Sequence, residues 1–243
     1  MTARRWAAAW AVLGIATAAP LVAQNPGIPV YNSGVPRGLG LYASFAKPLT
    51  DAGGGQAVAA SGRLGLGRLG VTATLAYWDP ASQRLGNLVT GDGSFSAGAT
   101  ANYRFFGGPL VPFSATFQVG AAFQQADEIR AGPGVAAFIA STDRVRVPIG
   151  LGIGYTIPGA VVAVRPWVAP RLELRGVRAP LATQPGQQAW SWGGSFGVSG
   201  GVELNFLNGF GLHAAVDFPR LDTRVSDAIL SAGAHYLIKL PGL

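Results

Sequence analysis

The sequence predicts an all-β protein, an antiparallel up-and-down barrel that crosses a membrane with ten strands, eight or twelve being the alternatives. Three observations lead to this prediction. Long stretches alternate apolar and polar residues, short turns alternate with long connections, and aromatic residues gather near both ends of the alternating stretches.

The first 23 residues have the order of a secretory signal peptide. A basic pair, Arg4 and Arg5, precedes an apolar stretch, and small residues lead to cleavage after Ala23, with Ala19 as an alternative. We therefore predict that residues 1–23 are removed on export. Loss of two of the 18 basic residues leaves 16 against 11 acidic ones, so the mature net charge is +5.

Alternation with a period of two recurs along the rest of the chain. In residues 144–155, RVRVPIGLGIGY, one face is entirely apolar, and the other begins with Arg144 and Arg146. Alternate residues of a strand point to opposite faces, so a barrel would turn the apolar face to lipid and the arginines to the lumen. A soluble β-sandwich, which would bury the apolar face, is the alternative. The predicted strands are 38–47, 56–66, 69–78, 93–106, 111–124, 143–156, 160–175, 189–206, 209–218 and 228–239.

Short and long connections alternate between these strands. The short ones have hairpin-turn residues at Gly67-Arg68, Gly107-Gly108, Pro158-Gly159 and Asn208-Gly209. The long ones are 48–55, 79–92, 125–142, 176–188 and 219–227. In outer-membrane barrels the short turns face the periplasm, so we expect periplasmic termini and a barrel over 38–243. Residues 24–37, rich in Pro, Gly and Asn, are predicted to form a flexible lead or a strap across the barrel.

Apolar-face aromatic residues form two predicted girdles, as expected at two membrane interfaces. Near the short turns lie Tyr103, Phe105, Phe113, Tyr155, Phe206, Phe210 and Tyr236. Near the long connections lie Phe45, Tyr77, Phe95, Phe123, Trp190, Trp192 and Phe218. A soluble sandwich predicts neither the girdles nor the segregated connections, so the membrane barrel is favoured.

With these strands, turns and girdles, residues 38–239 resemble the small outer-membrane barrel families, such as the transmembrane domain of outer-membrane protein A and the opacity-protein-like barrels. The resemblance rests on pattern and not on a diagnostic motif. It implies contact with outer-membrane lipids and lipopolysaccharide, and insertion by the barrel-assembly machinery. Such barrels commonly end on an aromatic residue, whereas the last aromatic residue here is Tyr236 and the chain ends at Leu243.

The predicted inward positions are rich in charge, with basic residues in excess. A lumen mouth that attracts anions is predicted at Arg144, Arg146, Arg171 and Arg175. A lumen ion-pair network, needed because buried charges require partners, is predicted at Glu173, Glu203, Arg63, Arg104, Arg165 and His213. A tight turn at Pro158-Gly159 would place Arg146 opposite Arg171 and Arg144 opposite Glu173. The tight turn at Asn208-Gly209 would place Glu203 opposite His213.

Signals for catalysis or metal binding are sparse. The absence of cysteine excludes disulfides, zinc–thiolate sites and cysteine nucleophiles. His213 and Asp217 lie four residues apart, roughly 13 Å along a strand, which is too far for a hydrogen-bonded dyad. We predict no enzyme activity, no catalytic or metal site, no cofactor and no nucleic-acid partner.

These features together predict an exported protein of the bacterial outer membrane. Its predicted role is a narrow passive channel or general envelope barrel, whose basic lumen favours anions and passes small solutes. The alternative is a non-conducting surface barrel whose loops bind a partner or stabilise the outer membrane.

Overall fold

The computed structural model describes residues 31–35, 38–49, 55–80, 83–85, 88–90, 92–108, 111–132, 135–181, 187–221 and 228–240. The strands are β1 Gly38–Pro48, β2 Gly55–Leu66, β3 Leu69–Pro80, β4 Gln83–Leu85, β5 Leu88–Thr90, β6 Ser94–Gly108, β7 Val111–Gly132, β8 Val135–Tyr155, β9 Val162–Pro180, β10 Gln188–Phe206, β11 Phe210–Phe218 and β12 Ile229–Ile238. The predicted signal peptide and residues 24–30 lie outside the described residues. So do parts of the predicted long connections.

Ten of these strands form one closed antiparallel barrel. Each pairs with the next barrel strand along the chain, and β1 also pairs with β12, which closes the ring. The strands β4 and β5 form a separate two-stranded sheet in the connection from β3 to β6, and β3 and β6 pair directly with each other. We followed the directly paired residues once around the ring, starting at Trp192 of β10. The series returns to β10 at Leu204, so the strands are staggered by twelve residues. Such a stagger tilts the strands against the barrel axis, typically by about 35–45°.

The predicted ten-stranded barrel is confirmed, and most strand ends agree with the prediction within two or three residues. The predicted long connection at 125–142 is wrong, because β7 and β8 continue their pairing as far as Gly132 and Val135. Backbone hydrogen bonds extend this hairpin where the apolar alternation stops. A strand that has left the lipid no longer needs an apolar face, so period two could not reveal it.

The connection between β8 and β9 is wider than the predicted Pro158-Gly159 turn. The last bridge before it joins Ile157 to Val164, which leaves six residues between them. The ladder is therefore shifted by four residues, and Arg146 faces Arg175 where Arg171 was predicted. A shift by an even number leaves every side chain on its predicted face.

The barrel has an apolar exterior and a polar interior, the reverse of a soluble protein. Phe95 is 76% exposed and Leu75 is 66% exposed on the outside. On the inside, Arg146 is 6% exposed and Glu173 is 0% exposed. The inside–outside prediction for the strands is thus confirmed. No helix with the length and apolar character to span a membrane occurs in the described ranges.

Candidate functional site: the barrel lumen

One half of the lumen holds a cluster of three arginines around two carboxylates. The period-two alternation of β9 turns Arg171, Glu173 and Arg175 inward together, and Arg146 of β8 faces Arg175. Glu173 Oε2 lies 2.5 Å from Arg146 Nη2 and 3.0 Å from Arg171 Nε, and its Oε1 lies 2.5 Å from Arg175 Nε. One carboxylate therefore contacts all three guanidiniums.

Asp217 of β11 supplies the second carboxylate of this arginine cluster. Its Oδ1 lies 2.7 Å from Arg171 Nη2, and its Oδ2 lies 3.6 Å from Arg146 Nη2. Ser199 bridges the two sides, because it accepts a hydrogen bond of 2.6 Å from Arg171 and donates one of 2.8 Å to Asp217. Three guanidiniums against two carboxylates leave the cluster with one net positive charge.

The structure brings three of the four predicted lumen-mouth residues together. Arg146, Arg171 and Arg175 do come together, but they are buried and paired, and the expected register between Arg146 and Arg171 is wrong. Arg144 occupies the next inward position of β8, opposite Val177 and not the expected Glu173, and is 6% exposed. Asp217 was not among the predicted network residues. Its inward position follows from the alternation in β11, and its pairing with Ser199 follows from the β10–β11 register alone. Its contact with Arg171 also depends on the β9–β10 register.

A second ion pair lies nearer the short turns. Arg63 Nη1 is 3.4 Å from Glu203 Oε1, and Glu203 faces Arg165 on one neighbouring strand and His213 on the other. The predicted pairing of Glu203 with His213 across β10 and β11 is confirmed. The Arg165 guanidinium donates a hydrogen bond of 3.0 Å to the hydroxyl oxygen of Ser114. Arg104, another residue of the predicted network, donates to the carbonyl oxygen of Gly67 at the rim, 2.8 Å away.

The two histidines lie next to each other, and one of them, His213, is paired with Glu203 across β10 and β11. His213 Nδ1 and His235 Nδ1 are 3.4 Å apart, and both rings are almost fully buried. Asn205 Oδ1 accepts a hydrogen bond of 2.9 Å from His235 Nε2, and the ring of Tyr42 stacks on His235 at 4.8 Å. Among the described residues, no group of three or more His, Cys, Asp or Glu side chains could hold a metal ion.

Residues 31–35, which precede β1, lie inside the lumen. Ser33 donates to Glu203 Oε1 at 2.6 Å, Asn32 Oδ1 accepts from Thr116 at 2.6 Å, and the Tyr31 hydroxyl is 2.8 Å from Ser231 Oγ. Burial raises the pKa of the Tyr31 hydroxyl above its usual value. Sequence reasoning gave no role to Asn32 and Ser33, because isolated polar residues in a non-periodic segment carry no signal of where they bind.

Glycine makes room for this inner segment at one position of β8. A Cβ atom added to Gly152 would overlap the side chain and the carbonyl oxygen of Asn32. The bare inner face of β8 therefore fits the backbone of residues 31–35, and any larger residue at this position would compete with them for the same space.

The closed ring, its apolar exterior and its polar, charge-paired lumen define the class of this protein. It is a transmembrane β-barrel of the small outer-membrane type, because a closed ring satisfies the strand backbone groups without water. The resemblance to small outer-membrane barrels predicted from the strand pattern is confirmed at the level of the fold.

Among solved structures, the chain is similar to Ail, the attachment invasion locus protein of Yersinia pestis. The structure of Ail with the heparin analogue sucrose octasulfate shares 12% identity, covering 82% of this chain and 98% of Ail, with a TM-score of 0.38. Another Ail structure shares 14% identity over the same portions, with a TM-score of 0.33. No family model and no curated protein matches the chain.

Proposed function

We propose that this protein is a bacterial outer-membrane barrel whose lumen is closed to free diffusion, and that it acts as a surface or envelope barrel. The observation that supports this most is the occupied lumen, with the arginine cluster around Glu173 in one half and residues 31–35 in the other. Removing one partner of a buried ion pair typically costs about 3–5 kcal/mol. Thermal motion alone therefore moves such a cluster aside only rarely.

We further propose that the chain is exported by a cleaved signal peptide and inserted by the barrel-assembly machinery among outer-membrane lipids and lipopolysaccharide. Its termini and short turns would face the periplasm. The β7–β8 hairpin would then project from the cell surface, since its pairing continues past the aromatic girdle at Phe123 to Gly132 and Val135. That projection is the part of the barrel best placed to meet a partner.

A second candidate function is a narrow channel for small anionic solutes. It is favoured by the net positive charge of the arginine cluster and by a cavity beside it. In this case mobile ions would pass beside Arg146, and the positive potential would select anions.

Conductance of the refolded mature chain in a planar bilayer separates the two candidates. The closed barrel predicts no steady conductance above that of the lipid alone. A steady, anion-selective conductance that turns towards cation selectivity in Arg146→Glu/Arg171→Glu would establish the channel and overturn the closed barrel. Heat-modifiable electrophoretic mobility checks that each variant is folded.

A further inference from the structure

A cavity of about 80 Å³ lies in the lumen beside the arginine cluster. It is bounded by the inner faces of β2, β3, β6, β7 and β8, and Tyr31 of the inner segment also lines it. Its polar lining includes Ser61, Thr74, Ser96, Thr100, Arg63 and Arg146. The cavity is separate from the ion pairs described above, although it shares one arginine with each.

The lining has the chemistry of an anion site. Hydroxyl groups from β2, β3 and β6 both donate and accept hydrogen bonds, and no carboxylate occurs among the residues that line the cavity. Ser61 Oγ and Thr74 Oγ1 already share one hydrogen bond of 2.8 Å, which fixes their positions and leaves further bonding capacity on each oxygen. The lining thus combines two cations, Arg63 and Arg146, with hydroxyl groups.

Both arginines of the lining retain unused donors. Arg63 is 5% exposed and Arg146 is 6% exposed. Within the described part of the chain, the Nε atom of each makes no hydrogen bond. A buried donor without an acceptor is costly, and such groups in native structures usually bind water, an ion or a ligand.

The size of the cavity limits what it can bind. At roughly 30 Å³ for each water, 80 Å³ corresponds to about three waters. A ligand that replaces them must be compact. Inorganic phosphate is of this size, whereas a whole sugar ring with its substituents is larger.

We propose that this lumen cavity is a binding site for a small oxyanion, of the size of phosphate, held by Arg63, Arg146 and the hydroxyl groups of β2, β3 and β6. The net positive charge of the adjacent arginine cluster favours the anion over a neutral polyol. The site does not depend on conductance, because an anion can reach it by slow exchange in a barrel that is closed to steady flow.

Isothermal titration calorimetry of the refolded mature chain in detergent tests the proposal. The probes are inorganic phosphate and glycerate at constant ionic strength, with glycerol as the neutral comparator. The variant Ala122→Leu fills the cavity from β7, where Ala122 lines it. The matched control Ala126→Leu changes the same inner face of β7 two inward positions further on, outside the lining.

We expect the wild type and Ala126→Leu to bind at least one oxyanion, and Ala122→Leu to bind it at least tenfold more weakly. Thr100→Val, which removes one lining hydroxyl with little change in volume, should weaken binding as well and serves if Ala122→Leu does not fold. No oxyanion binding by the wild type, equal weakening by both leucine variants, or glycerol binding as tight as that of the bound oxyanion would each overturn the proposal. These results do not depend on the bilayer recordings, so either proposal can fail alone.

Discussion

Arg146 and Arg175 face each other across the β8–β9 ladder, and both guanidiniums contact the same carboxylate, that of Glu173. Two like charges directly opposite on paired strands repel. The shared carboxylate offsets this repulsion, so Glu173 lies at the electrostatic centre of the arginine cluster.

Glu173→Gln should strongly destabilise the barrel. It leaves three buried guanidiniums with Asp217 as the remaining carboxylate of the cluster, and removing one partner of a buried ion pair costs about 3–5 kcal/mol. Urea unfolding in lipid vesicles measures the change in the free energy of unfolding.

The control for this variant is Asp143→Asn. Asp143 pairs with Arg178 at 3.5 Å, and the side chain of Arg178 is 46% exposed. An exposed pair contributes less than about 1 kcal/mol, so this variant should unfold nearly like the wild type. Equal losses for the two variants would show that the lumen charges are solvated and not buried.

Leu151→Arg should destabilise the barrel from the outside. Leu151 lies on the lipid face of β8 and is 45% exposed. An arginine near the bilayer midplane costs about 2–4 kcal/mol, and the cost falls to about 0–1 kcal/mol near the interface. Val161→Arg is the comparison, because Val161 lies in the turn before β9 and is 67% exposed. Similar urea midpoints for the two variants would contradict the assigned lipid face.

Gly152→Ala should displace the inner segment and leave the barrel folded. The added Cβ atom would overlap Asn32, whereas at Gly62 an added Cβ atom meets nothing within 4 Å. Hydrogen–deuterium exchange of residues 31–35 should therefore become faster in Gly152→Ala and stay unchanged in Gly62→Ala. Unchanged exchange in both variants would mean that the contact with Asn32 does not hold the segment.

Surface labelling tests the proposed orientation of the barrel. A cysteine at Gly134, between the ends of β7 and β8, should react with an impermeant reagent in intact cells. A cysteine at Arg68, in the turn between β2 and β3, should react only after the outer membrane is opened. Because the chain has no native cysteine, no background substitution is needed. The reverse pattern would invert the proposed topology.

The sequence was sufficient to predict the ten barrel strands and their faces. The alternation of apolar and polar residues that defines both can be recognised within each strand, without knowledge of its neighbours. Residues such as Arg146 and Leu151 could thus be placed inside and outside correctly. The partners of Arg146 could not be predicted. They depend on the width of the turn after Ile157, and two-residue turn chemistry at Pro158-Gly159 gave a register that was wrong by four.

The contacts of the lumen were harder to predict than the strands. Asp217 reaches Arg171 from a strand two places away in the ring, so its role depends on two registers at once. Ser33 reaches Glu203 from outside any strand, through a single hydroxyl. Interactions of this kind arise from the closed shape of the barrel and leave no periodic trace in the sequence.

The position of residues 31–35 bears on how the ring closes during biogenesis. The ring closes where the first strand, β1, meets the last, β12, through ten paired positions. Tyr31, from just before the first strand, contacts Ser231 of the last, and Tyr42 stacks on His235 across the same seam. Tyr31 and Tyr42 thus hold the last strand against the first from inside the lumen. To reopen the ring between β1 and β12, both the backbone pairing and these side-chain contacts must break.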